Sequence, residues 1–173
     1  MPLATFGAKA VQTPIRARAA FAEPKMSLIL DDELKGIINN ALSERTPMVL
    51  ASVDAEGMPR LTFRGSVQTF SDDQVGFWAR NPTGATMDNI GANPHVSMIM
   101  RNPDTRVVLQ LMGRARRVEG AERDLAYANA PEIEQRGDPD KKGAGVIVDL
   151  DRVEGFLGMG PDGKPRFVRL SRA

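Results

Sequence analysis

The chain has 173 residues, with 23 Lys and Arg against 22 Asp and Glu, a net charge of +1 and 42% hydrophobic residues. That length suits one domain with one core, and so balanced a charge provides no global field for nucleic acid or an anionic membrane. The lack of cysteine excludes disulfides, thiolate metal sites and cysteine nucleophiles and leads us to expect a cytoplasmic protein, while the single histidine, His95, excludes a multi-histidine metal site.

Residues 1–30 are expected to form an N-terminal arm ahead of one domain spanning 31–173. The first 25 residues are Ala-rich and carry Lys9, Arg16, Arg18 and Lys25 against Glu23, a composition shared with transit peptides. No continuous apolar stretch there suits secretion, and no apolar run approaches the roughly 18–20 residues that cross a bilayer.

Asp31-Asp32-Glu33 opens a segment whose apolar residues Leu34, Ile37, Ile38, Ala41 and Leu42 fall on one helical stripe, which predicts a helix over 31–43 ended by Thr46-Pro47. Met48–Val53 reads as a strand and Asp54-Ala55-Glu56-Gly57 as a turn. Over 58–64 the side chains alternate, with Leu61 and Phe63 on one face and Arg60, Thr62 and Arg64 on the other. Ser66–Phe70 and Gln74–Ala79 are predicted strands flanking a turn, completing an antiparallel meander. Thr83–Asn93 is a predicted helix stopped by Pro94, and His95–Arg101 a strand. Arg106–Val118 is a long strand interrupted at Gly113. Ala121–Ala130 reads as a helix with Leu125 and Ala128 as its apolar contacts, and 131–145 as a polar loop. Val146–Leu150, Val153–Leu157 and Phe167–Leu170 are further strand material, with Gly160–Pro165 a turn. Short strands with hairpin turns and few helices favour a closed or partly closed β-barrel over a doubly wound sheet.

The most informative stretch is FWARNPTGATMDNI, residues 77–90. Strand alternation puts Trp78 and Arg80 on one face. If their strand paired with the one ending at Arg64, two guanidiniums would converge on the Thr83–Thr86 loop, where a helix start offers free N–H groups. Such a cluster suits a phosphate. An ordinary strand-to-helix junction, with surface arginines and a core tryptophan, accounts for the same spacing. His95 fits a half-buried, hydrogen-bonded strand residue or a general acid. Arg114, Arg116 and Arg117 form a dense basic cluster, read as a solvated strand or an anion contact across a dimer rather than a nucleic-acid face. The acid pairs Asp31-Asp32, Asp72-Asp73 and Asp149/Asp151 suit caps and turns, and Met98, Met100 and Met112 suit core packing.

The hairpin TPMVLASVDAEGMPRLTFRGSV, the junction FWARNPTGATMDNIGANPHVSM and the strand VVLQLMGRARRV, in that order, resemble the pyridoxamine 5′-phosphate oxidase-like family of flavin-binding split barrels over roughly residues 31–158. The resemblance implies a mainly β fold: a six-stranded antiparallel split barrel with flanking helices, dimeric, with flavin mononucleotide (FMN) between subunits. It implies cofactor contacts from Arg64, Gly65, Ser66 and Val67, from Trp78, Ala79, Arg80, Thr83 and Thr86, and from Gln110 across the dimer. Where family members often carry Ser-x-Lys at the helix start, this chain has Gly84-Ala85-Thr86, so a lysine charge is missing; uncompensated, that costs about 1.5–3 kcal/mol of phosphate binding. The residues by which true pyridoxamine-phosphate oxidases hold their substrate are not recognisable. The expected activity is therefore an FMN-dependent oxidoreductase, a homodimer acting on a small molecule, with no nucleic-acid or membrane partner and no metal. Alternatives are a deazaflavin-dependent reductase and a non-catalytic stress-response protein that holds flavin or haem.

Overall fold

The computed structural model describes residues 28–172; the arm expected over 1–30 lies almost wholly outside them. The elements in chain order are α1 (Asp32–Asn40), β1 (Met48–Val53), β2 (Pro59–Arg64), β3 (Gln68–Thr69), β4 (Gln74–Ala79), α2 (Ala85–Ala92), β5 (His95–Arg101), β6 (Val108–Val118), α3 (Gly120–Asn129), α4 (Glu132–Gly137), β7 (Ala144–Met159) and β8 (Pro165–Ser171). The fold is mainly β with flanking helices, as expected, with eight strands in place of six.

Every strand pair is antiparallel, and the order is β2-β1-β5-β6-β7-β4-β3, with β8 added to β7. The path thus begins at β2 and ends at β3, neighbours in sequence. Even fully extended, the link from Arg64 to Gln68 spans no more than roughly 14 Å. The two ends of the sheet are therefore held close without pairing to one another, which makes a barrel with a split. The expected meander is corrected here: β2 pairs β1, while β4 pairs β7, because β1 turns instead to β5.

Inward side chains fill the barrel. Met48, Leu50, Met98, Met100, Leu109, Leu111, Val146, Val148 and Leu150 are all buried in one core. Helix α1 adds Leu34 and Ile38 to it. Its N-terminus is capped by Asp31, whose Oδ1 accepts from the Leu34 N–H at 2.9 Å. The Asn39 side chain accepts from the Thr69 N–H at 2.8 Å, satisfying a donor on the short edge strand β3. Helix α2 packs against β1 and β6, and the buried Asn89 amide donates to Ser52 Oγ at 3.0 Å.

Several local expectations need correction. Helix α1 stops at Asn40, and α2 begins at Ala85 rather than Thr83. In α3 the buried residue is Ala126, while Leu125 and Ala128 are exposed. The polar loop over 131–145 contains α4, and the two strands around 146–157 are one strand, β7. Met112 is half-buried on the outer face rather than in the core. Arg114, Arg116 and Arg117 are paired with Asp151, with Glu122 and Asp149, and with Glu119. Among the described residues, no helix is long and apolar enough to cross a membrane.

Gly113 sits where the β6–β7 register shifts, and a Cβ there would lie 2.2 Å from the Asp149 carbonyl oxygen. Gly113→Ala is expected to lose roughly 2 kcal/mol or more of stability, because backbone must move to admit it. Gly91→Ala, in α2 with open space around the position, should be neutral or stabilising by about 0.5 kcal/mol. Thermal unfolding of both variants checks the contrast.

Candidate functional site

The residues around the split form two adjoining cavities. The larger, about 650 Å³, is lined by Phe63, Arg64, Gly65, Ser66, Trp78, Arg80, Asn81, Glu134 and Gly137. The smaller, about 270 Å³, shares Arg64, Arg80 and Asn81 and adds Arg60, Thr62, Ala79 and the start of α2 from Gly84 to Thr86. Strands β2 and β4 do not pair, so the route expected to bring Arg64 and Arg80 together is not the one used. The split itself brings them to one cleft, with no ladder between them.

Arg64 ends β2 on its polar face and turns into the split. Its Nη2 donates to the Thr86 Oγ1 at 2.9 Å, and its guanidinium carbon lies 5.1 Å from the Phe77 ring centroid. Its Nε is buried and, among the described residues, is the buried side-chain nitrogen or oxygen without a hydrogen-bond partner. Desolvation lowers the Arg64 pKa from its ordinary value, with the Glu134 charge opposing that shift. The group stays charged at any ordinary pH, so the site holds a desolvated cation with a donor to spare.

Arg80 is more open, with 60% of its side chain exposed, and its Nε meets Glu134 Oε2 at 3.0 Å. Next to it, Asn81 Oδ1 accepts from the Thr83 N–H at 3.1 Å, shaping the turn into α2. Gly84 is the N-cap of α2 and makes no side-chain cap; its carbonyl takes the Met87 N–H at 2.7 Å, which leaves the Ala85 and Thr86 amides to other acceptors. A Cβ at Gly84 would lie 3.0 Å from the Asn81 amide nitrogen, so a glycine lets the turn close tightly.

Trp78 lies behind the cleft, 2% exposed, with its edge against Tyr127 at 5.0 Å between centroids. Its Nε1–H donates to the buried Asp138 Oδ2 at 2.9 Å. That carboxylate also accepts from the Lys142 N–H at 2.9 Å and the Gly143 N–H at 2.7 Å. Burial by itself would raise the Asp138 pKa, but the donors from Gly143, Lys142 and Trp78, with the Lys142 charge, outweigh it and hold the carboxyl below its usual range.

Of the ten residues expected from the sequence, Arg64, Gly65, Ser66, Trp78 and Arg80 line the larger cavity, and Ala79 and Thr86 the smaller. Val67 is buried in the core. Thr83 sits on the exposed turn, bonded to Asn81. Gln110 is on the outer face of the sheet, donating to Ser97 Oγ at 3.0 Å, in a separate depression of about 460 Å³. His95 is exposed, with its ring Nδ1 3.1 Å from Asn93 Oδ1, and lines neither cavity. Sequence reasoning missed Asn81, although it adjoins Arg80, and missed Glu134 and Gly137, which lie in a stretch that carries no periodic signal. Among the described residues no cluster of three or more His, Asp or Glu is placed to hold a metal.

A family model described as pyridoxamine 5′-phosphate oxidase matches residues 30–154. HupZ of Group A Streptococcus is 22% identical with a TM-score of 0.58, over 75% of this chain and 95% of that one. PhzG from Burkholderia lata, solved in complex with tetrahydrophenazine-1-carboxylic acid, is 14% identical with a TM-score of 0.60, over 81% of this chain and 85% of that one. An FMN-binding, pyridoxamine 5′-phosphate oxidase-related protein from Nostoc punctiforme is 14% identical with a TM-score of 0.55, over 78% and 91%. These likenesses show the fold. Among curated proteins none matches the chain.

The buried Asp138 carboxylate has a pH signature. Its folded pKa is depressed, so its stabilisation is present above the unfolded value and is lost as pH falls below about 4. Asp138→Asn turns one acceptor into a donor facing N–H groups and is expected to cost about 2 kcal/mol at neutral pH. The gap to the parent protein should narrow in acid. Denaturant unfolding at pH 7 and pH 3.5 measures both.

Proposed function

The chain belongs to the pyridoxamine 5′-phosphate oxidase family, and from that premise we propose that it is a homodimeric, FMN-dependent oxidoreductase acting on a small organic substrate. The observation that carries this reading is that Arg64, whose buried Nε has no partner, lines the cleft. A desolvated guanidinium with a free donor is a poor structural element alone and a good one beside an anion. The residues present fit a phosphate: Arg64 and Arg80 give charge, Thr86 gives a hydroxyl, and the uncapped start of α2 gives amides. Arg80 supplies charge in a loop whose helix start lacks the family's lysine.

In this reading Arg64 and Thr86 would hold the phosphate, and Gly65 and Ser66 would offer backbone to the flavin. Trp78, fixed by Asp138, closes the back of the cleft and excludes water. FMN, when bound, supplies the two-electron redox chemistry, and the protein's part is position and electrostatics. No step is assigned to His95, whose ring is turned to Asn93.

The dimer rests on the outer face of the sheet. The register lines up Phe63, Val49, Ile99, Gln110, Glu154 and Arg169 in one row across six strands. Leu61, Phe63, Ile99 and Phe167 on this side are 68%, 73%, 44% and 74% exposed. So much apolar surface on one side of a sheet is the mark of an interface. Phe63 also lines the larger cavity, so the cleft opens onto this face. A second copy seated here would complete the cleft's outer wall and offer its own Gln110 to the cofactor.

Purified protein titrated with FMN is expected to bind it stoichiometrically, with the fluorescence of Trp78, the single tryptophan, quenched; failure at micromolar concentrations rejects the reading, and parallel titrations with deazaflavin and haemin separate the alternatives. Arg64→Met should weaken FMN roughly 10–100-fold and leave riboflavin, which lacks the phosphate, nearly unchanged. For the dimer, Phe63→Glu with Phe167→Glu should halve the mass measured by light scattering and weaken FMN as well.

A further inference from the structure

Helix α4 is short and polar, yet it is firmly held. The Tyr127 hydroxyl shares its one proton between the carbonyls of Gln135 at 3.0 Å and Asp138 at 3.1 Å. The Gln135 amide donates to the carbonyls of Ala130 at 2.7 Å and Ala128 at 3.2 Å. Asp138, just past the helix, is locked beneath Trp78. One side chain of α4, Glu134, is directed into the cleft, with only 18% of its side chain exposed. Gly137 lies against the same arginine: a Cβ there would be 3.0 Å from Arg80 Nη1 and 3.2 Å from its Cδ. Backbone and carboxylate thus close around the Arg80 guanidinium from one side.

The larger cavity therefore contains two guanidiniums and one carboxylate, and the smaller adds the exposed Arg60. A surface ion pair contributes little to stability, so the Arg80–Glu134 contact is a weak reason for this construction. Its electrostatic effect on a ligand is larger. The fixed negative charge offsets that of Arg80, one of the three arginines lining the two cavities, and it occupies the Nε of Arg80 that a phosphate oxygen would take.

Resting on the phosphate subsite proposed above, we propose that Glu134 is a specificity-determining residue that sets how strongly the cleft favours a phosphorylated ligand over its unphosphorylated form. Glu134 competes with phosphate for Arg80 and repels the second phosphate charge. The cleft is accordingly tuned to weak, exchangeable holding of a phosphate monoester, with Arg64, which makes no direct ion pair with Glu134, as the principal cation.

The test measures dissociation constants of FMN and riboflavin, by quenching of Trp78, for the parent protein, Glu134→Gln and Glu132→Gln. Glu132 is on the same helix, with its side chain 78% exposed, and does not line the cleft, so it controls for net charge. The expected result is that Glu134→Gln tightens FMN roughly fivefold or more, leaves riboflavin within twofold, and that Glu132→Gln changes neither. Equal changes for FMN and riboflavin, or no change in Glu134→Gln while the parent binds FMN and discriminates it from riboflavin, overturn the role of Glu134 and leave the subsite standing. Binding of neither flavin by any of the three proteins overturns the subsite and this inference together.

Discussion

Arg64 carries its charge to the place where the sheet runs out of hydrogen-bonding partners, and much of the molecule is arranged around that fact. Burying a cation is expensive unless its donors are met. Thr86 meets one donor and the Phe77 ring one face, while the Nε is left unmet. A fold that leaves such a group desolvated stores a preference for an anion. The split in the barrel is what creates the space, because β2 and β4 lie on either side of it without a ladder.

The elements around the cleft divide the work by their stiffness. The barrel strands fix Arg64 and Trp78 through backbone pairing and a continuous core. The turn from Arg80 to Thr83 is shaped by Asn81, and the start of α2 follows with its amides uncapped. The α3–α4 segment, outside the sheet, is tied to Trp78 through Asp138 and Tyr127 and brings an acid to the edge of a basic site. The same buried carboxylate that steadies the tryptophan therefore also fixes where Glu134 stands. Structural and electrostatic roles meet at one residue, Asp138, which touches neither cavity.

Much of this was legible in the sequence for local reasons. The stripe of Leu34 and Ile38, the alternation over 58–64, the small-residue break after Trp78 and the glycine at 113 each report a conformation through side-chain period or steric freedom. So α1, β2, the β4–α2 junction and the β6 irregularity were readable within a few residues. Alternation identified two faces of β2 but not which one meets solvent. Leu61 and Phe63 are exposed while Thr62 and Arg64 are half-buried, although Arg60 near the strand's start is exposed as well. Hydrophobicity ordinarily predicts the reverse, and the inversion reflects an outer face with its own apolar character.

The order of most elements, the buried stripe of Leu34 and Ile38 and the family resemblance were determined by sequence alone, since they depend on periodicity and short motifs that survive without coordinates. Only the tertiary structure decided that β2 and β4 meet across an unpaired split and that Gln110 is remote from Arg64 within one chain. It also decided that a stretch without periodic signal, residues 131–145, supplies Glu134 and Asp138. The reason is that strand pairing and the docking of a short polar helix are long-range choices. Their energies come from contacts dozens of residues apart, such as Trp78 with Asp138, and no local pattern encodes them.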